Sequence, residues 1–417
     1  MGLLSWIAMG GGFLLAVVAV ILALNWAKVS RLMQTISLFA PDQIVYNFSN
    51  MKDIMPATRL PASGTVHQWP MALTPINENW DWLGQTFPVA ETLRDMQTTA
   101  LVVVKDGRIV FESYYLETSP QDLRISWSLS KSFVSALTGI ALANGDISSL
   151  DVPVSDYVPA LKRSAYNGVP LRHVMNMASG VQFDEDYLAF NSDINKMGRV
   201  LALGGSLDDF SASVTHIART PGCARQYVSI DTHVIAMVLR AATGKSLQDY
   251  FVENLWSKMG ASADAYYSTD TDGNAFALGG LNMRTRDYAL FGELMRNQGR
   301  RGDVQLIPAD WVTLSTINSA PADVGADPFG YGYQWWVPNN ADEEFFGVGV
   351  YGQYIYVNPK AGIVIAKNAA DLGFNELDVN GDDSKSQNIA LFRSIAAHYS
   401  DWQSPQRSSS ATSPACS

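Results

Sequence analysis

Ser126-Trp127-Ser128-Leu129-Ser130-Lys131-Ser132-Phe133, running on to Asn144-Gly145, is the stretch on which the fold turns. Apolar residues recur at helical spacing at Phe133, Leu137, Ile140 and Ala141, and Asn144-Gly145 supplies a stop. A helix over Ser128 to Ala143 puts residues three apart on one face, so the Lys131 ammonium reaches the Ser128 hydroxyl. A serine alcohol attacks a carbonyl only when a base takes its proton. An ordinary lysine, with a pKa of about 10.4, stays protonated at neutral pH. Desolvation near a helix N-terminus lowers that value. Bringing it to neutrality asks the fold for roughly 4 kcal/mol of differential interaction.

Ser-x-x-Lys occurs a second time, at Ser49-Asn50-Met51-Lys52, and context separates the two. Ser128 follows two β-rich runs, Thr99 to Lys105 and Arg108 to Tyr114, joined by the hairpin signal Asp106-Gly107. Ser49 has no such neighbours. Helical and loop segments alternate from Ser128 to about residue 320. Strands return at Gln353 to Val357 and Ile363 to Lys367, joined through Asn358-Pro359-Lys360-Ala361-Gly362, and Ser386 to Tyr399 reads as a closing helix. Strands at both ends and helices between predict an α/β (α+β) fold: one antiparallel sheet from the two ends, flanked by helices, plus a mainly helical lobe. The cleft between them is where a ligand belongs.

The composition is that of a globular chain, with 47% apolar and 17% charged residues. A formal charge of −11 excludes a nucleic-acid partner, which needs clustered cations. The two cysteines, Cys223 and Cys416, have no metal-ligand spacing, and with Cys416 in a polar tail no bridge between them is expected. The five histidines are scattered, and Asp231-Thr232-His233 reads as helix packing. No metal and no cofactor is expected.

From Gly2 to Ala27 no side chain is charged, and Trp6 and Trp26 lie near the two ends. About 20 such residues cross a bilayer core. A cleaved signal would want cationic residues first and a small-x-small site, which Asn25-Trp26-Ala27 is not. The expectation is a membrane anchor over residues 1–27, attaching a domain that faces the periplasm or cell exterior. Lys28 and Arg31 just after the span pull the orientation the other way. Pro56, Pro61, Pro70 and Pro75 make residues 28–95 a connector that wraps the main domain at 96–402. Residues 403–417, rich in Ser and Pro, read as a disordered tail.

Two further elements could complete a site. Tyr227-Val228-Ser229 follows a Pro221-Gly222 turn and precedes a helix, Thr232 to Thr243. A phenol there could shuttle a proton to a leaving group. Tyr-x-Ser or Tyr-x-Asn also occurs at Tyr266 and Tyr356, without that context. Gly347-Val348-Gly349-Val350-Tyr351-Gly352-Gln353 is either a strand that substrate approaches closely or a bulge at a strand start.

Together these three elements resemble the serine β-lactamase and penicillin-binding family. They are most similar to class C enzymes and to the 6-aminohexanoate-oligomer hydrolases and esterases of that fold. Leu171 to Gly180, Gly279-Gly280-Leu281-Asn282, Tyr331 to Trp336 and Tyr351 to Tyr356 support the likeness, which spans roughly residues 95 to 400. It implies Ser128 as acylated nucleophile, Lys131 as its base and Tyr227 as second acid/base. The oxyanion would be held by the N–H groups of Ser128 and Val350, with Ser229 and Gly349 against the substrate. Ser229 stands where the family has Asn, and no Lys or His precedes the glycines, so the cation that helps bind a β-lactam carboxylate is missing. The expected substrate is therefore a small molecule with an amide or ester bond. A true class C-like β-lactamase and a wall-peptide receptor without turnover are the alternatives. The acidic run Asp184-Glu185-Asp186 reads as a solvated loop, with Asp186 a candidate for a substrate ammonium. No Gly-x-Ser-x-Gly elbow occurs, and Gly244-Lys245-Ser246 lacks the first glycine of a P-loop, Leu239 standing there.

Overall fold

The computed structural model describes residues 16–403 except 18, 22, 25, 63, 326, 339–342 and 378–382. The hairpin signal decides the first pair of strands. Thr98–Lys105 (β1) and Arg108–Tyr114 (β2) pair antiparallel across Asp106-Gly107. Both turn residues have positive φ, 46° and 76°, as the two-residue turn that follows strand twist requires. Five later strands complete the sheet: Phe329–Gly332 (β3), Trp335–Pro338 (β4), Phe345–Gly349 (β5), Gln353–Asn358 (β6) and Ile363–Ala369 (β7). Their order is β3-β4-β5-β6-β7-β1-β2, antiparallel throughout. Strands from the two ends of the chain therefore meet where β7 pairs with β1.

Both faces of this sheet are covered, which explains its near-continuous apolar strands. Val102, Val104, Ile355, Val357 and Val364 pack on the side of helix Thr285–Arg296. Their strand neighbours Leu101, Val103, Tyr354, Tyr356 and Ile365 face the other way, against Ile389, Phe392 and Ile395 of helix Ser384–His398. Side chains alternate across the sheet with a period of two, so each strand serves both layers.

The helical lobe is built around the stretch that opens the sequence. Trp127–Leu129 forms one 3-10 turn, not the start of the α-helix, which runs Ser130–Asn144 (α1) and ends on left-handed Gly145. Every residue of α1 from Ser130 to Ala141 is buried, so its apolar spacing marks a central helix rather than a surface one. Ser229–Thr243 (α2) packs along it. A smaller four-stranded sheet, in the order Ala57–Leu60, Ala265–Ser268, Leu281–Arg284 and Leu123–Ile125, leads the chain into α1.

The expected N-terminal anchor, with membrane attachment and a membrane-anchored location, is corrected. Among the described residues no helix is long and apolar enough to cross a membrane. The helix Trp26–Ile36 carries Lys28, Arg31, Gln34 and Thr35 within eleven residues and packs against Asp193–Leu203. Polar residues in each turn suit a helix lying on protein. Residues 1–15 of the expected span lie outside the described residues, as does the tail beyond Gln403. Contrary to expectation, Cys223 is disulfide-bonded; Cys416 is also outside the described residues.

Candidate active site

Strand Leu123–Ile125 delivers the chain to Ser126, whose N–H donates to the Leu281 carbonyl at 2.8 Å. The next residue, Trp127, has φ +43°, a left-handed conformation that costs a non-glycine residue on the order of 1 kcal/mol or more. That twist turns Ser128 toward the end of β5. A Cβ on Gly349 would stand 2.2 Å from the Ser126 carbonyl oxygen and 3.1 Å from the Ser128 nitrogen. One on Gly347 would stand 2.5 Å from Leu129 Cδ1. The glycine-rich strand is thus a close-approach element and not a bulge.

Lys131 Nζ donates to Ser128 Oγ at 2.8 Å, to Ser229 Oγ at 3.3 Å and to the Leu278 carbonyl at 3.3 Å. The side chain is buried, and burial pulls its pKa down to about 7 although Glu185 and Asp231 push it up. Burial drives the Glu185 carboxyl the other way, upward, and Lys131 and Ser229 partly offset this. Asp231, on α2 and bonded to the Tyr166 hydroxyl at 2.7 Å, is pushed up to about 8 by burial. Lysine and carboxylates have thus shifted toward their neutral forms, as desolvation dictates.

Tyr227 is half-buried, hydrogen-bonded with the Ser128 side chain, and stacked on Trp336 with ring centroids 5.7 Å apart. Burial raises its phenol. Lys131 Nζ lies 5.1 Å from the same ring. These groups border a cleft of about 260 Å³ lined by Ser128, Glu185, Tyr227, Trp336, Gly349 and Val350, among others. Ser128, Lys131, Tyr227, Ser229, Gly349 and Val350 are therefore brought together.

Asp186 is not among the residues lining the cleft. Its exposed carboxylate accepts from the Leu188 and Ala189 N–H groups at 2.9 and 3.2 Å, holding its own loop. Its neighbour Glu185 enters instead, accepting from the Ser229 N–H, from Ser229 Oγ at 3.0 Å and from Tyr187 at 3.3 Å. Sequence reasoning missed Glu185; the only signal was the acidic run itself. It also missed Lys385, which lines the cleft, pairs with Asp327 and lies 3.8 Å from the Trp336 ring centroid. Among the described residues no group of three or more His, Cys, Asp or Glu is placed to hold a metal ion.

The β-lactamase family profile matches residues 89–385. The 6-aminohexanoate-dimer hydrolase of Paenarthrobacter ureafaciens is 28% identical over 289 residues, 66% of this chain and 74% of that protein. A Bacillus anthracis protein provisionally assigned as a 6-aminohexanoate-dimer hydrolase superposes with a TM-score of 0.76 at 24% identity, over 87% of this chain and 95% of that one. A family VIII carboxylesterase superposes at 0.56 and 16% identity, over 74% and 95%. The chain belongs to the β-lactamase family, as a hydrolase of that fold similar to 6-aminohexanoate-dimer hydrolase.

Proposed function

We propose that the protein hydrolyses amide or ester bonds of small acyclic substrates through an acyl-enzyme on Ser128. The observation that carries this is the 2.8 Å contact of Lys131 Nζ with Ser128 Oγ, made by a lysine whose pKa burial brings to about 7. Neutral Lys131 takes the hydroxyl proton as Oγ attacks the carbonyl carbon. The N–H groups of Ser128 and Val350 receive the oxyanion. Tyr227 gives a proton to the departing amine or alcohol, and water then cleaves the acyl-enzyme with the proton transfers reversed. The likeness to a 6-aminohexanoate-dimer hydrolase supports short amide oligomers as one substrate class.

The test is covalent labelling with a fluorophosphonate, followed by assays on p-nitrophenyl esters, nitrocefin and aminohexanoate dimers, with Ser128→Ala as blank. Label on Ser128 and turnover of an ester or dimer is the expected result. Label without turnover of any substrate would favour a wall-peptide receptor, and efficient turnover of nitrocefin alone a true β-lactamase.

A further inference from the structure

Four aromatic rings from three distant parts of the chain pack on one another beside the Ser128 turn, and Tyr351 also meets Phe374 of the cleft lining, with ring centroids 4.4 Å apart. Phe39 lies 6.3 Å from Phe48, 5.8 Å from Trp127 and 5.0 Å from Tyr351, between ring centroids. Phe48 lies 5.6 Å from Trp127 and 5.4 Å from Tyr351. Trp127 and Tyr351 are 6.0 Å apart. All six pairs are thus within the range of favourable ring contacts.

Two of the rings have a particular place in the chain. Trp127 immediately precedes Ser128, and Tyr351 immediately follows Val350. Both are left-handed, with φ +43° and +62°. Such backbone persists only where the surroundings over-determine it. The other two rings do this from a segment that lies before residue 89, where the family match begins. That segment is itself tied down. Asn47 Nδ2 donates to the Ser37 and Leu38 carbonyls at 3.2 and 3.1 Å. Buried Arg124, three residues before Trp127, donates to Ser49 Oγ at 3.0 Å. Phe48 is buried and Phe39 half-buried, and none of the four rings is among the residues lining the cleft.

We propose that Phe39 and Phe48 are positioning residues that clamp Trp127 against Tyr351 and thereby fix the N–H groups of Ser128 and Val350 at the oxyanion. This rests on the acyl-enzyme proposed above. The clamp touches neither substrate nor Lys131, so its loss appears in kcat and not in KM, and leaves the pH profile in place. A misplacement of around 1 Å in such a site costs up to about 100-fold.

The experiment uses the full chain with Phe39→Ala, Phe39→Tyr and Phe48→Ala, and with Tyr46→Ala as control, since Tyr46 is exposed on the same short helix as Phe48. Fluorophosphonate labelling rates at Ser128, kcat and KM for p-nitrophenyl butyrate, and thermal melts are measured on each. The expected result is a loss of about 10- to 100-fold in kcat and labelling rate for the alanine variants. KM should stay unchanged, Phe39→Tyr should restore the rates, and Tyr46→Ala should match wild type. Should Phe48→Ala fail to fold, Phe39→Ala decides. Folded alanine variants with wild-type rates, or a loss confined to KM, overturn the clamp. Wild-type protein that takes no label on Ser128 overturns the acyl-enzyme itself, and the clamp falls with it.

Discussion

Ser229 joins Lys131 to Glu185: its hydroxyl accepts from Lys131 Nζ at 3.3 Å and donates to a Glu185 oxygen at 3.0 Å. An asparagine here would offer both a carbonyl and an amide. The hydroxyl, acceptor and donor in one atom, performs the same two tasks because a carboxylate stands behind it. Ser229 thus passes the Lys131 contact on to Glu185.

This link sets the pH dependence. In the proposed mechanism Lys131 works only as the free base, so kcat/KM for an ester should fall as pH drops through about 7 and level off above it. Glu185 holds the Lys131 pKa up, so Glu185→Gln should let it fall and move the ascending limb to lower pH. A limb that stays in place, or moves upward, would disconnect Glu185 from the base.

Covalent labelling should find Ser128 and spare the other two serines of the Ser-x-x-Lys context. Ser49 Oγ is held by Arg124 at 3.0 Å. Ser130 is buried, bonded to Tyr267 and to the Ala277 carbonyl at 2.7 Å. Neither has a lysine on its hydroxyl among the described contacts. Peptide mapping of the labelled protein checks this, and label on Ser49 or Ser130 alone would sink the assignment.

Anionic β-lactams, which carry no ammonium to balance the carboxylate, should be poor substrates. Lys385, the cation among the described residues lining the cleft, is already paired with Asp327. A β-lactam carboxylate then forgoes a charge-assisted hydrogen bond of about 1.5–3 kcal/mol, roughly 10- to 150-fold in kcat/KM. Comparing nitrocefin with p-nitrophenyl acetate on one preparation measures it. Lys385 also lies 4.0 Å from Asp383, so Asp327→Asn should loosen Lys385 and raise nitrocefin turnover relative to the ester by up to about tenfold. An unchanged ratio would remove Lys385 from substrate recognition.

Gly349→Ala should cost activity and stability together. Its methyl would meet the Ser126 carbonyl oxygen at 2.2 Å, a backbone atom that cannot swing away. Overpacking of this kind costs about 1–3 kcal/mol, and the displaced Ser128 turn should lose about 100-fold or more in kcat. A melt and an ester assay on the variant suffice. Wild-type behaviour in both would mean that β5 and the turn are not in contact.

What the sequence showed best was local. Asp106-Gly107 named its hairpin, and Ser128 with Lys131 named a pair, because the spacing of neighbouring residues fixes both. Glu185 was hidden for the opposite reason. Three adjacent carboxylates look alike in sequence, and only the fold decides which one turns inward. Gly349 was visible as a glycine, but its cause is a backbone more than two hundred residues away. The charge-free N-terminal run reads as a membrane span by composition, and composition does not show that the helix at its end, Trp26–Ile36, packs on protein. The Phe39 and Phe48 contacts likewise join residues too far apart in sequence for any spacing rule to reach.

The burial of α1 on every side has a consequence for how this enzyme fails. Amide hydrogens along Val134 to Ala141 sit where solvent enters only when the whole lobe opens, so they should be among the last in the molecule to exchange with deuterium. Lys131 stands in the first turn of that helix and Ser128 in the 3-10 turn just before it. Heat should therefore extinguish activity and cooperative structure at one temperature, with no earlier loosening of the site, and an enzyme that survives warming should be whole.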